Sequence, residues 1–285
     1  MERMNQKLFT GERALFKAKN ICVTNSVFEN GESPLKESRD IHLLNDIFRW
    51  KYPLWYAENV KAENITLTDT ARSGIWYTQN LGISSSIIQA PKTFRRASNI
   101  VLTNVQLPNA QETFWNCQDI ELYQVTAVGD YFAMNSNNIT INDFSLVGNY
   151  GFDGCSNLEI RNAKIISKDA FWNCENVTVY DSTIVGEYLG WNSSNVKLVN
   201  CLIESEQGMC YMDNVQLEEC TVINTDLAFE YSTVQATITS TVDSVKNPIS
   251  GEIRSLGITE LIFDDDTIDS TKTSIIEGVS CENAS

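Results

Sequence analysis

Apolar residues recur along this chain in pairs two positions apart, and the pairs return every 19 to 21 residues. Counted from the polar residue just ahead of each pair, the series runs Asn20, Asp40, Asn59, Asn80, Asn99, Asp119, Asn138, Asn157, Asn176, Asn195 and Asn214, with a weaker copy at Thr233. The next position is apolar every time, from Ile21, Ile41 and Val60 to Val215 and Val234. So is the position two further on, from Val23 and Leu43 to Leu217 and Ala236. A spacing of two with β-branched residues in excess predicts a strand with one buried face. A polar residue follows, then a second short strand carrying Phe48, Leu67, Ile88, Leu107, Leu146, Ile165, Ile184, Ile203 and Val222. A third strand carries Leu54, Ile75, Phe94, Phe114, Phe152 and Phe171. No window sustains a helical period, and the gaps between strands are too short for helices.

A repeat of fixed period outweighs other sequence signals. Three short strands joined by polar corners predict a triangular coil, and coils stack so that each strand pairs in parallel with its copy about 4.8 Å away. The predicted fold is all-β: a single-stranded right-handed parallel β-helix of about twelve coils, its hand assigned by analogy with other coils of this irregular kind. Asn and Asp tolerate left-handed backbone and bond their own main chain, so the anchors are corners and their stacked copies an Asn ladder. A leucine-rich repeat would need a helical or extended convex segment, and a left-handed hexapeptide helix a stricter rhythm. The reading is one domain over residues 1–285. Residues 1–19 form an N-terminal cap in which Leu8, Phe9, Leu15 and Phe16 cover the open strand edge. Coils fill 20–251, and 252–285 are a C-terminal cap and tail, with Ile275 and Ile276 pinned to the body.

Charge changes this picture little in fold but much in partners. The net charge is −16. Residues 1–96 hold 14 Lys and Arg against 10 Asp and Glu, while residues 97–285 hold 7 against 27. Such acidity argues against nucleic acid and against an anionic membrane as partners. No apolar run approaches the roughly 18 residues that would read as a transmembrane helix, so none is expected. The opening Met1 to Lys7 lacks the apolar stretch of a signal peptide. Of the eight cysteines, Cys117, Cys155 and Cys174 share one column with Ser136 and Ser193, and Cys201 and Cys220 share another. A cysteine that exchanges with serine at a stacked position behaves as a small core residue. Reduced core thiols and no leader suggest a cytoplasmic protein. No Cys-x-x-Cys or clustered histidine suggests a metal, and no cofactor is expected. The triplets starting at Asn64, Asn138 and Asn176 have the form of glycosylation signals, but the repeat itself generates them as corners.

One face invites a functional reading. Five residues before each anchor, an apolar or small column that includes Leu54, Ile75, Phe94, Phe114 and Phe171 points inward. The next column reads Trp55, Trp76, Arg95, Trp115, Met134, Asp153, Trp172, Trp191, Cys210 and Phe229. Slipping the register by one residue would bury Arg95 and Asp153 at several kcal/mol each, roughly, so this column points out. On the same side stand Lys51, Arg72, Asp130, Lys168 and Glu187. The candidate ligand-binding residues are Trp55, Trp76, Arg72, Arg95, Trp115, Trp172 and Trp191, because flat indole faces in a row suit sugar rings. Lys51, Arg72, Lys92, Arg95 and Arg96 would suit an anionic sugar. Asp130, Asp153 and Asp169 are candidate catalytic carboxylates for acid/base work. Two functions fit: carbohydrate binding or processing along this face, or a non-catalytic interaction scaffold in which a partner or a second subunit covers the tryptophans, a homo-oligomer included. His42, the only histidine, lies between Ile41 and Leu43 and so points out of the first strand.

The coil grammar resembles the pectin-lyase-like superfamily of right-handed parallel β-helices, some of which cleave polysaccharides along an outer sheet. The Phe-Trp-Asn-Cys units at Phe114 to Cys117 and Phe171 to Cys174, with the opening Phe9-Thr10-Gly11-Glu12-Arg13, resemble a bacterial family known only as a domain of unknown function, and that likeness covers nearly the whole chain. The superfamily resemblance implies that an enzyme here would be a polysaccharide lyase or a glycoside hydrolase. Its motifs carry over poorly: Asn224-Thr225-Asp226 matches a polygalacturonase-like triplet, but no Gly-His-Gly or Arg-Ile-Lys accompanies it. Asp130, Asp153 and Asp169 match no calcium-site motif of pectate lyases.

The stacked Cys/Ser columns give a direct prediction. Thiol titration of the denatured protein without reductant should count eight free thiols; four or fewer would mean a disulfide framework.

Overall fold

The apolar columns read from the sequence are the rungs of parallel ladders. In the computed structural model, which describes residues 1–278, strand Lys19–Thr24 pairs with Arg39–Leu44 and that with Glu58–Glu63, so that Ile21, Ile41 and Val60 stand in register. The ladder continues through Leu81, Ile100, Ile120 and Ile139. These coils belong to a first compact unit, Met1–Val147. A second unit starts at Gly148 and carries its own parallel ladder, Leu158 to Val177 to Val196 to Val215 to Val234. The fold class is a parallel β-helix, as the repeat requires. The inward columns are buried throughout: Leu54, Ile75, Phe94, Phe114, Phe152 and Phe171 are each 0% exposed. Among the described residues no helix is long and apolar enough to cross a membrane.

Three details differ from the sequence reading. The count is about fifteen coils rather than twelve. Residues expected to cap are themselves coiled, with Glu2–Asn5 pairing with Lys19–Thr24 and Leu8–Thr10 with Val27–Glu29. Towards the other end, Ser250–Ser255 pairs with Thr273–Glu277, which holds Ile275 and Ile276 as expected. Gly251, which interrupts the apolar column, is required there, because a Cβ would lie 1.7 Å from the Val234 carbonyl oxygen. The expected tail beyond residue 278 lies outside the described residues. The third difference is at the third side. It is a strand only briefly, at Ile75–Trp76 beside Phe94–Arg95; elsewhere it is a pile of turns joined by backbone bonds such as Phe152 N–H to Ala170 O at 3.0 Å.

The turns bring the chain into left-handed conformation at four or more positions in most coils instead of at three corners. In one coil Asn59, Asn64, Ser73 and Tyr77 have φ of 56°, 51°, 53° and 60°. Side chains other than glycine resist this region by roughly 1–2 kcal/mol, Asn and Asp least. Stacking offsets the cost. Asn59 donates to Asp40, Asn80 to Asn59 and Asn99 to Asn80, at 2.8–2.9 Å. In the second unit Asn176, Asn195 and Asn214 each donate to the Asn one coil before, at 2.9–3.1 Å. Asn64, Asn138 and Asn176 are corner residues in these ladders.

The seven cysteines within the described residues are free thiols; Cys281 lies outside them. Cys117, Cys155 and Cys174 are buried, and the Cys174 thiol donates to the Phe152 carbonyl at 2.9 Å. Burial pushes the Cys117 thiol up to about 12, which leaves it unreactive.

One buried position breaks the pattern. Asp46 is 0% exposed, in a column where Ser26 and Ser86 sit in other coils. Its carboxylate accepts from the Ser26 and Leu44 N–H groups at 2.8 and 3.1 Å. Burial outweighs these bonds and raises its pKa from 3.8 to about 6. A raised folded-state pKa adds stability while the group is protonated, and that stability is lost as pH rises through about 6. Replacing Asp46→Ser removes the titration. Relative to wild type, the variant should gain roughly 2–3 kcal/mol between about pH 4 and pH 7.5, read by denaturant unfolding at both pH values. A pH-independent difference would contradict the assignment.

Candidate functional site

Stacking at strand spacing decides what the tryptophan column presents. All five tryptophans of the column lie outside the core, as do Arg95 and Met134. Asp153 is tucked in at 8% exposure, and Cys210 and Phe229, expected in the outward column, are fully buried at 0%. The column thus sinks into the core after Trp191.

In the first unit the indoles lie on one another. Trp55 and Trp76 stack with centroids 5.3 Å apart and planes 9° from parallel. The Arg95 guanidinium follows, 4.7 Å from the Trp76 ring and 4.6 Å from the Trp115 ring. Cation–π attraction, strengthened by partial burial, accounts for an arginine in this row. Tyr52 meets the Trp55 ring at 4.5 Å with planes 42° apart. Each indole N–H is also taken: Trp55, Trp76 and Trp115 donate to the carbonyls of Ser73, Lys92 and Tyr131 at 2.5–2.8 Å. The neighbouring cations are engaged as well. Glu112 accepts Lys92 at 2.9 Å and Arg95 at 3.4 Å, and Glu32 accepts Lys51 at 3.1 Å. Arg96 lies over Tyr77. Arg72 is exposed and has no ion pair among the described residues. Asp130 is half-buried, with its backbone N–H donating to Gln111 at 3.3 Å. Flat indole faces, the feature expected to receive a sugar, are here occupied by the next side chain of the stack.

The second unit is arranged differently. Trp191 donates its N–H to the Gln207 carbonyl at 2.9 Å and meets Tyr188 and Tyr211 at 5.0 and 5.1 Å. Trp172 is 37% exposed, touches Tyr150 at 6.0 Å with planes 40° apart, and has no partner for its N–H among the described residues. Beside it the structure brings together two of the three candidate carboxylates. Asp153 accepts from the Asn173 amide at 3.1 Å. Asp169 is 7% exposed, and its pKa is raised, chiefly by burial; Lys168 opposes the shift, while Glu187 and Asp153 add to it. Lys168 is held by Glu187 at 3.2 Å. The sequence columns show which residues share a row. They place Lys168 and Glu187 on this side, one repeat offset apart, but do not single out Tyr150 or Asn173 as neighbours of this site.

The chain belongs to the family described as "Protein of unknown function (DUF3737)", which matches residues 2–276. No curated protein matches it in sequence. Among solved structures it is similar to the Streptococcus pneumoniae surface protein and adhesin PfbA, with a TM-score of 0.46 and 10% identity over 96% of this chain and 91% of that one. It is also similar to the A-module of the Azotobacter vinelandii mannuronan C-5 epimerase AlgE4, with a TM-score of 0.30 and 12% identity over 96% and 87%. A third similar structure is the tailspike protein of E. coli bacteriophage HK620, with a TM-score of 0.34 and 9% identity over 90% and 62%.

The two kinds of tryptophan should respond differently to truncation. Trp115→Ala removes one face of the Arg95 sandwich and the indole hydrogen bond to the Tyr131 carbonyl, at a cost of roughly 2–3 kcal/mol. Trp172→Ala should cost less than about 1 kcal/mol. Denaturant unfolding of both variants checks this, and equal losses would mean that Trp172 is as much a structural part as Trp115.

Proposed function

We propose that this protein binds saccharides, at the surface around Trp172 in its second unit. The observation that carries the reading is the state of that one indole: exposed, tilted 40° against its Tyr150 neighbour, and with its N–H unbonded among the described residues. A pyranose presents C–H groups on one face and hydroxyls around its edge. The indole supplies a flat apolar surface for the first and an N–H donor for the second. Asp153 and Asp169 supply acceptors that hold hydroxyl donors. The acidic groups Asp153, Asp169 and Glu187 favour a neutral sugar over an anionic one, since the charge of Lys168 is already matched by Glu187.

A second reading is the interaction scaffold. It is favoured by the other four indoles of the column, whose N–H groups bond the chain's own carbonyls. In that reading Trp172 is the contact point of a partner or second copy. Titration with neutral oligosaccharides, followed by calorimetry, separates the two. Saccharide binding predicts a complex that Trp172→Ala and Asp153→Asn each weaken by about tenfold or more, from a protein that is monomeric in solution. A dimer that Trp172→Ala dissociates, with no sugar bound at millimolar concentration, would overturn the saccharide reading in favour of the scaffold.

A further inference from the structure

On the first unit, a different face carries a second opening. The outward row of the first strand runs through His42, Lys61, Gly82 and Val101, side by side across the parallel ladder. At Gly82 the row has no side chain, and a depression of about 470 Å³ lies over it, lined also by Glu63 and Ser84. Nothing in the backbone demands glycine there. Its φ is not among the positive ones, and a Cβ built on Gly82 would meet nothing within 4 Å. Glycine in the interior of a strand is a poor choice on propensity alone. A glycine that neither conformation nor packing requires keeps a space open.

The charges around that space are unspent. Lys61 faces His42 on one side and Gly82 on the other, and Glu63 faces Leu44 and Ser84. Lys61 and Glu63 stand two apart on one strand face, as Glu159 and Arg161 do, and Glu252 and Arg254. Those two pairs close at 3.0 and 2.6 Å. Among the described residues Lys61 and Glu63 form no ion pair, with each other or with any other group. An unpaired ammonium beside an open seat takes an oxyanion. The Glu63 carboxylate, the Ser84 hydroxyl and the His42 imidazole around it bond hydroxyl groups.

We infer that the depression over Gly82 is a binding site for a small hydroxylated carboxylate of the sugar-acid class, with Lys61 holding the carboxylate and Glu63, Ser84 and His42 the hydroxyls. This site is made of residues other than those around Trp172, and it takes an anion where that surface takes a neutral sugar.

The test uses the full chain and D-glucuronate, with D-glucose as the uncharged counterpart, in calorimetric or NMR titrations. Glucuronate should bind the wild type, and glucose at least about tenfold more weakly. Gly82→Val fills the seat with a residue that suits a strand, so its melting temperature should equal or exceed that of wild type while glucuronate binding falls by about tenfold or more. Lys61→Ala should lose the preference for glucuronate over glucose. Trp172→Ala should leave glucuronate binding unchanged, which separates this site from the proposed saccharide surface. Glucuronate binding that survives Gly82→Val, or that is absent from the wild type, overturns the inference.

Discussion

Each coil of this protein must place its side chains on those of the next at strand spacing, about 4.8 Å. Most of what the structure does follows from that one distance. Flat groups of matching kind tolerate it best, so Asn amides link into ladders at 2.8–3.1 Å and phenylalanines pile inside, as Phe28 does on Phe48 at 4.5 Å. The ladders hold a backbone that would otherwise resist its many left-handed residues. A buried carboxylate is tolerated when two main-chain N–H groups face it, as at Asp46.

The same spacing works against binding. A stacked side chain offers only its edge, because its faces belong to its neighbours. Trp55, Trp76 and Trp115 show the consequence, with Arg95 inserted among them as another flat group. Room for a ligand exists where a stack is interrupted. At Trp172 the column leaves an indole N–H with no partner among the described residues, beside two carboxylates, and at Gly82 a row loses its side chain altogether. The basic residues of the first unit illustrate the electrostatic counterpart. Lys51, Lys92 and Arg95 are neutralised by glutamates of an adjacent coil, whereas Lys61 has His42 and Gly82 beside it across its ladder and no carboxylate.

Much of this is legible in the chain. A near-constant period with apolar pairs two apart dictates parallel stacking. Arg95 sets the register of the tryptophan column, because burying a charge costs more than exposing an indole; Asp153 in the same column is tucked in and accepts from the Asn173 amide instead. At Cys210 and Phe229 no charge marks the column, and an apolar residue is free to turn inward. Counting coils by their Asn anchors falls short because the outermost coils lack the anchor while still pairing as strands. What the columns conceal is the third dimension of the stack. A row of tryptophans reads as a row of open faces until the spacing is applied, and then it reads as a closed pile. Gly82 is hidden for a related reason: a glycine is visible in sequence, but only the geometry shows that nothing requires it.

The difference between the indoles can be observed directly. Hydrogen exchange of the six tryptophan Nε1–H groups, resolved in nitrogen-correlated NMR spectra and assigned by single replacements, reports which of them are bonded. Trp55, Trp76, Trp115 and Trp191 should exchange slowly, held by carbonyls of neighbouring coils. Trp172 should exchange fast, and its signal should be the one that moves when a neutral oligosaccharide is added. Fast exchange across the whole column, or a protected Trp172, would contradict the claim that stacking closes this face and that its interruption opens the site.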